Sequence, residues 1–97
     1  IMDPPTYGRG PNGEVWKFED ELYPLVEKCM SLLSDNPLFM IVNSYTSNVS
    51  STVVKNVLEL CVKAKYGGFV TNDEIAIPVK NSGICLPCGA ATRWIAK

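Results

Sequence analysis

Apolar residues along this chain form two helical stripes and one unbroken run. After Trp16, the residues Leu22, Val26, Cys29 and Leu33 recur at a helical interval. Leu25 and Leu32 widen the stripe, and Glu21, Glu27 and Lys28 lie off it. The spacing predicts a helix from Trp16 to about Ser34. Pro24 has no N–H to give the helix ladder, so it marks either an early kink or the true first turn. Asp35-Asn36-Pro37 is a turn, and Leu38 to Val42 then runs apolar without interruption, as a strand covered by helices on both faces does. The polar stretch Asn43 to Asn48 follows. In a parallel α/β sheet, stretches so placed carry the ligand-facing loops at the strands' carboxyl ends, so position alone makes these residues site candidates. A second stripe, Val54, Val57, Leu58 and Cys61, predicts a helix from about 51 to 65, capped by Ser50 or Ser51 and stopped by Gly67-Gly68 in left-handed conformation.

The flanks read differently. Residues 3 to 14, DPPTYGRGPNGE, hold three prolines and three glycines, which predicts an exposed loop. Ahead of it, Ile1 and Met2 read as the last residues of a buried strand, so the chain is expected to be cut from a larger protein. Near the other end, Glu74 to Lys80 alternates with Ile75, Ile77 and Val79 on one side, and Ala91 to Ala96 carries Trp94 and Ile95; both read as strands. Asn81 to Gly89 between them is turn-rich, with Ile84-Cys85-Leu86 briefly extended. A strand end, helix, strand, helix and two closing strands predict an α/β layered sheet with a hairpin-like final pair.

Composition narrows the function. At 97 residues the chain is one domain at most, and its formal net charge of −1 provides no basic field to hold a polyanion unaided. Histidine is absent, so Ser-His and Cys-His catalysis are excluded within the chain. The apolar stretch Pro37 to Val42 falls far short of the roughly 20 residues that cross a bilayer, and no signal-type segment precedes it. The four cysteines do not show the pattern of a disulfide scaffold. A soluble protein of a reducing cytoplasm, away from membranes, is expected.

The chemistry gathers at Asp3-Pro4-Pro5 with Tyr7 behind it. Asp3 offers an acceptor, the prolines fix a rigid turn, and the aromatic ring offers a stacking surface for a planar base. Methyl transfer from a sulfonium needs little acid-base help, so positioning would supply most of the acceleration. Gly8-Arg9-Gly10 sets an arginine on a loop where it can approach a phosphate or a cofactor carboxylate. Trp16 and Lys17 are placed where they could help receive RNA, but a tryptophan just before a helix reads more readily as a packing anchor.

The words D-P-P-T-Y-G-R-G-P-N-G-E-V-W-K, the strand ending I-V-N-S-Y-T and the tail G-I-C-L-P-C-G-A-A-T-R-W occur in an order that resembles the C-terminal half of class I S-adenosylmethionine-dependent methyltransferases related to bacterial large-subunit ribosomal RNA methylases. The resemblance implies a partial Rossmann-like methyltransferase fold over residues 1 to 97: the end of the fourth strand, then the fifth, the sixth and an antiparallel seventh, with two helices. It implies S-adenosylmethionine as cofactor and ribosomal RNA as partner. The family's D-P-P touches methyl donor and target base, a role that falls on Asp3, Pro4 and Pro5, with Asp3 and Pro4 against the cofactor. Tyr7, Arg9 and Asn43 would meet the substrate. Amino-group methylases place an aromatic directly after D-P-P, where this chain has Thr6. Cytosine-C5 methylases of related type use a cysteine just after the fifth strand, where this chain reads Asn43-Ser44-Tyr45. The pattern is closest to guanine ring-nitrogen methylases, which implies an N-methyl product and makes Asn43 either a base-orienting or a loop-fixing amide.

The glycines near Gly13 are no dinucleotide fingerprint, since no strand leads into them and no helix follows at once. The cofactor's glycine loop is expected outside these residues, and the chain by itself is expected to be inactive. Cys85-Leu86-Pro87-Cys88 carries the rival reading, a redox pair or half of a zinc site. Its flanks read as strand, and Cys29 and Cys61 read as helix core, so no metal is expected. An open sheet edge and uncovered apolar surface, left where further strands would pack, predict self-association.

Overall fold

The structure, a computed structural model, describes residues 1–45 and 48–97. Its elements are a short ribbon of β1 (Tyr7–Arg9) and β2 (Val15–Lys17), helix α1 (Phe18–Met30), strand β3 (Phe39–Ser44), helix α2 (Ser51–Leu58), and strands β4 (Phe69–Pro78) and β5 (Cys85–Ile95). A π-helical turn, Glu59–Lys63, and a last helical turn, Ala64–Tyr66, continue α2. Thr46 and Ser47, part of the polar stretch after the strand, lie outside the described residues.

The larger sheet has the order β3-β5-β4, with β5 antiparallel to both neighbours. Met2 extends it on the far side of β3 by a parallel bridge to Val42; its N–H donates to the Ile41 carbonyl at 2.8 Å and its carbonyl accepts from the Asn43 N–H at 3.0 Å. Reading across, the order is residue 2, β3, β5, β4. The chain thus moves twice in one direction between parallel strands, through α1 and then α2. Right-handed crossovers in one direction place both helices on one face. The core agrees: Phe18, Leu22 and Val26 of α1, Val54, Val57 and Leu58 of α2, and Met40, Val42, Val70 and Trp94 of the sheet bury together.

The other face corrects an expectation. β3 is covered on one side only, not both. Phe39, Ile95 and Phe69 stand in one cross-strand row of the outer face and are 50%, 49% and 62% exposed. An unbroken apolar run records that both faces avoid water, but not which segment covers the second. No described residue does.

Further boundaries differ from the sequence reading. The stretch 3–14 is not all loop: Gly10, Pro11 and Gly13 fall in the turn, and the flanks pair as Tyr7↔Lys17, Gly8↔Trp16 and Arg9↔Val15. The first helix accordingly starts at Phe18, with Glu19, Asp20 and Glu21 in its first turn, where carboxylates complement the helix dipole. It ends at Met30, so Leu32, 81% exposed, falls off the buried stripe. Pro24 lies inside the helix, past its first turn. β4 begins directly after Gly68, not at residue 74, its first half hidden from an alternation rule by Thr71, Asn72 and Asp73. β5 begins at Cys85, so most of the predicted turn is strand, and the reversal is confined to Val79–Ile84, with Asn81 and Gly83 at positive φ.

The second helix matches its predicted span, although Ser50 caps it without a side-chain hydrogen bond. Its stop is glycine by necessity: Gly67 and Gly68 both take positive φ, and a Cβ on Gly68 would collide with the Ile95 carbonyl and approach Trp94 Nε1 to 2.9 Å. Among the described residues, no helix is long and apolar enough to cross a membrane.

Candidate functional site

The parallel pairing of Met2 with β3 decides where Asp3 goes. Because Met2 bonds to Ile41 and Asn43, the chain leaves the sheet beside the carboxyl end of β3, and Asp3-Pro4-Pro5 turns away there. The turn is tied at two successive carbonyls. The Trp16 indole N–H donates to the Pro5 carbonyl at 2.6 Å, and the Phe18 N–H donates to the Thr6 carbonyl at 3.0 Å. Trp16 reads from the sequence as packing. In the structure its ring, held on β2, clamps the Asp-Pro-Pro turn, and no sequence signal joins those two positions.

Tyr7 and Arg9 sit two residues apart on β1 and therefore project from the same side of the ribbon. Both are exposed, and the Arg9 Nε–H donates to the Tyr7 hydroxyl at 3.0 Å. The stacking ring and the cation are thus brought together. Neither makes a hydrogen bond or ion pair with Asp3 or Asn43 among the described residues.

Asn43 lies within β3, where alternation puts its side chain on the outer face, away from Val42 and Ser44. Its backbone N–H holds Met2 in place.

Tyr45, just past β3, lies near enough to Asp3 to feel its charge. Partial desolvation first, then that charge, hold Tyr45 above the ordinary tyrosine range. The polar stretch containing Tyr45 is legible as ligand-facing by position; the meeting with Asp3 is not.

Cys85 and Cys88 lie within β5 as free thiols, and the Cys88 thiol donates to the Leu86 carbonyl at 3.4 Å. They are not at a helix N-terminus, where a thiol pKa would be lowered. Cys61 is buried, and that burial pushes its thiol up. Among the described residues, no three metal-ligating side chains cluster.

For a nucleotide-like cofactor the chain offers one wall: a carboxylate and a rigid proline turn at a strand's carboxyl end. The Gly8–Gly13 segment cannot add a phosphate cradle, because it closes the β1-β2 ribbon and no parallel strand enters it.

No protein-family model and no curated protein matches the chain. Among solved structures, it is similar to the crystal structure of a SAM-dependent methyltransferase from Agrobacterium tumefaciens. That similarity has a TM-score of 0.87 at 28% identity and covers 100% of this chain and 33% of the other. The chain therefore spans about a third of that protein's length, and its α/β architecture is that of a partial methyltransferase fold.

Proposed function

We propose that this chain is the C-terminal half of an S-adenosylmethionine-dependent methyltransferase domain that methylates a nucleobase nitrogen in ribosomal RNA in the cytoplasm. The observation that carries the reading is the exit of Asp3-Pro4-Pro5 from a strand paired in parallel with β3, within a fold matched along its whole length by a methyltransferase. The donor, when bound, supplies an electrophilic methyl group. Asp3 accepts a hydrogen bond from the base, and Pro4 and Pro5 hold the turn so that base and donor lie in line. Orientation of this kind is the main contribution a protein can make to such a displacement. Tyr7 offers its ring to the base, Arg9 pairs with a phosphate or the donor's carboxylate, and the Asn43 amide orients the base. With a net charge of −1, most of the grip on RNA would come from residues outside this chain.

A chimera tests this reading: residues 1–97 replace the matching third of the Agrobacterium methyltransferase. The folded chimera is expected to bind the donor and to transfer labelled methyl groups to ribosomal RNA. Donor binding without RNA labelling would remove RNA from the proposal, and a folded chimera that leaves the donor unbound would remove methyl transfer.

The chain alone should self-associate. Met2 covers only the end of β3, so the earlier part of that strand is an open edge, and the row Phe39–Ile95–Phe69 adds uncovered apolar surface beside it. Light scattering is expected to show dimers or larger species at high concentration, and Phe39→Lys to shift them toward monomer. A strict monomer at every concentration rules the surface out.

A further inference from the structure

The Asp-Pro-Pro turn is pinned at both ends. On one side Met2 exchanges hydrogen bonds with Ile41 and Asn43 of β3. Beyond Asp3, neither Pro4 nor Pro5 has an N–H to give, so the backbone of these two residues can be gripped only through carbonyls. The grip is supplied by the Trp16 indole N–H, which donates to the Pro5 carbonyl at 2.6 Å, and by the Phe18 N–H, which donates to the Thr6 carbonyl at 3.0 Å. This second pin has a firm base. Phe18 opens α1 and its side chain is 1% exposed in the core, so Trp16 reaches the turn from backbone that the core itself holds.

Alternation gives the β1-β2 ribbon two faces. Trp16 lies opposite Gly8 on the half-buried face, while Tyr7, Arg9, Val15 and Lys17 are exposed on the other. One face grips the turn and the other presents the ring and the cation.

We propose that Trp16 is a positioning residue: its indole N–H, bonded to the Pro5 carbonyl, fixes the Asp3 turn relative to β3 and to the ribbon that carries Tyr7 and Arg9. The methyl-transfer reading enters only in saying what Asp3 is aligned toward. The bond is exposed, so water competes for both groups and the net contribution to stability is small. Its direction is what matters. A site that works by alignment loses rate when an aligned group drifts by an ångström.

The test uses the full chain, assembled by ligating a synthetic segment 1–28 to an expressed segment that begins at Cys29. Synthesis confines 13C to the Pro5 carbonyl and the Asp3 carboxyl, and it allows Trp16 to be replaced by benzothienylalanine, in which sulfur takes the place of the ring N–H and the shape is kept. Loss of the N–H should shift the Pro5 carbonyl resonance upfield and move the Asp3 resonance, while the thermal midpoint and the Trp94 indole signal stay put. Trp16→Phe should reproduce both shifts. A Pro5 or Asp3 resonance unmoved by benzothienylalanine overturns the proposal. So does a fallen thermal midpoint with the Trp94 signal displaced, which would make Trp16 a packing residue. In a chimera that transfers methyl groups, Trp16→Phe should slow transfer about 10–100-fold with donor affinity changed much less, and an unchanged rate there also overturns it. None of the resonances involves donor or RNA, so a chimera that is inactive with Trp16 in place counts against the methyl-transfer reading alone.

Discussion

Trp94→Ala is expected to remove most of the chain's folding stability. Trp94 is fully buried on β5, the strand flanked on both sides, between Met40 of β3 and Val70 of β4. Its ring lies 5.8 Å from that of Tyr66, and its indole N–H donates to the Gly67 carbonyl at 2.7 Å, fastening the end of the second helix to the sheet. Removing a buried tryptophan typically costs about 3–5 kcal/mol, against total stabilities of about 5–15 kcal/mol for domains generally. A domain this small, with one sheet face uncovered, should sit at the low end of that range. The lost hydrogen bond adds less, because Gly67 is exposed and water can replace the indole. Urea titration followed by circular dichroism should show the transition midpoint falling by more than half, with Trp94→Phe intermediate. A midpoint within experimental error of the parent chain's would mean that the ring is not central to the core.

The largest functional effect is expected from Asp3→Ala in the chimera. Transfer to RNA should fall about 10²–10³-fold, the size seen when one preorganised polar group is removed from an active site. Donor affinity should change much less, because Asp3 is only one of the groups that would touch it. Asp3→Asn keeps an acceptor of the same shape and should recover part of the loss, which separates orientation from charge. A rate within threefold of the parent chimera would place the chemistry elsewhere.

Much of this fold is legible in the chain because burial leaves a periodic trace. The stripe through Leu22 and Val26, the stripe through Val54, Val57 and Leu58, and the run from Leu38 to Val42 each report a local face, and each became the element expected. The errors share a cause. Trp16 and Lys17 continue the helix by pattern, yet they pair with Tyr7 and Gly8 across a turn. Asn72 and Asp73 are polar residues that a pattern reading assigns to no strand, yet β5 holds them in one. The pair Cys85 and Cys88 looks like a metal or redox word because spacing alone says nothing about a bulge. In each case the deciding partner lies elsewhere in the sequence.

By itself, the sequence determined the order and type of the main elements and placed an Asp-Pro-Pro turn at a strand's exit, because helical and extended periodicities and proline geometry are local properties. Only the tertiary structure decided that β5 runs between β3 and β4, that both helices share one face, that Trp16 clamps the turn, and that Gly89 packs against Ser44 and Tyr45. Those are meetings between distant segments, and they are settled by the one core those segments bury together.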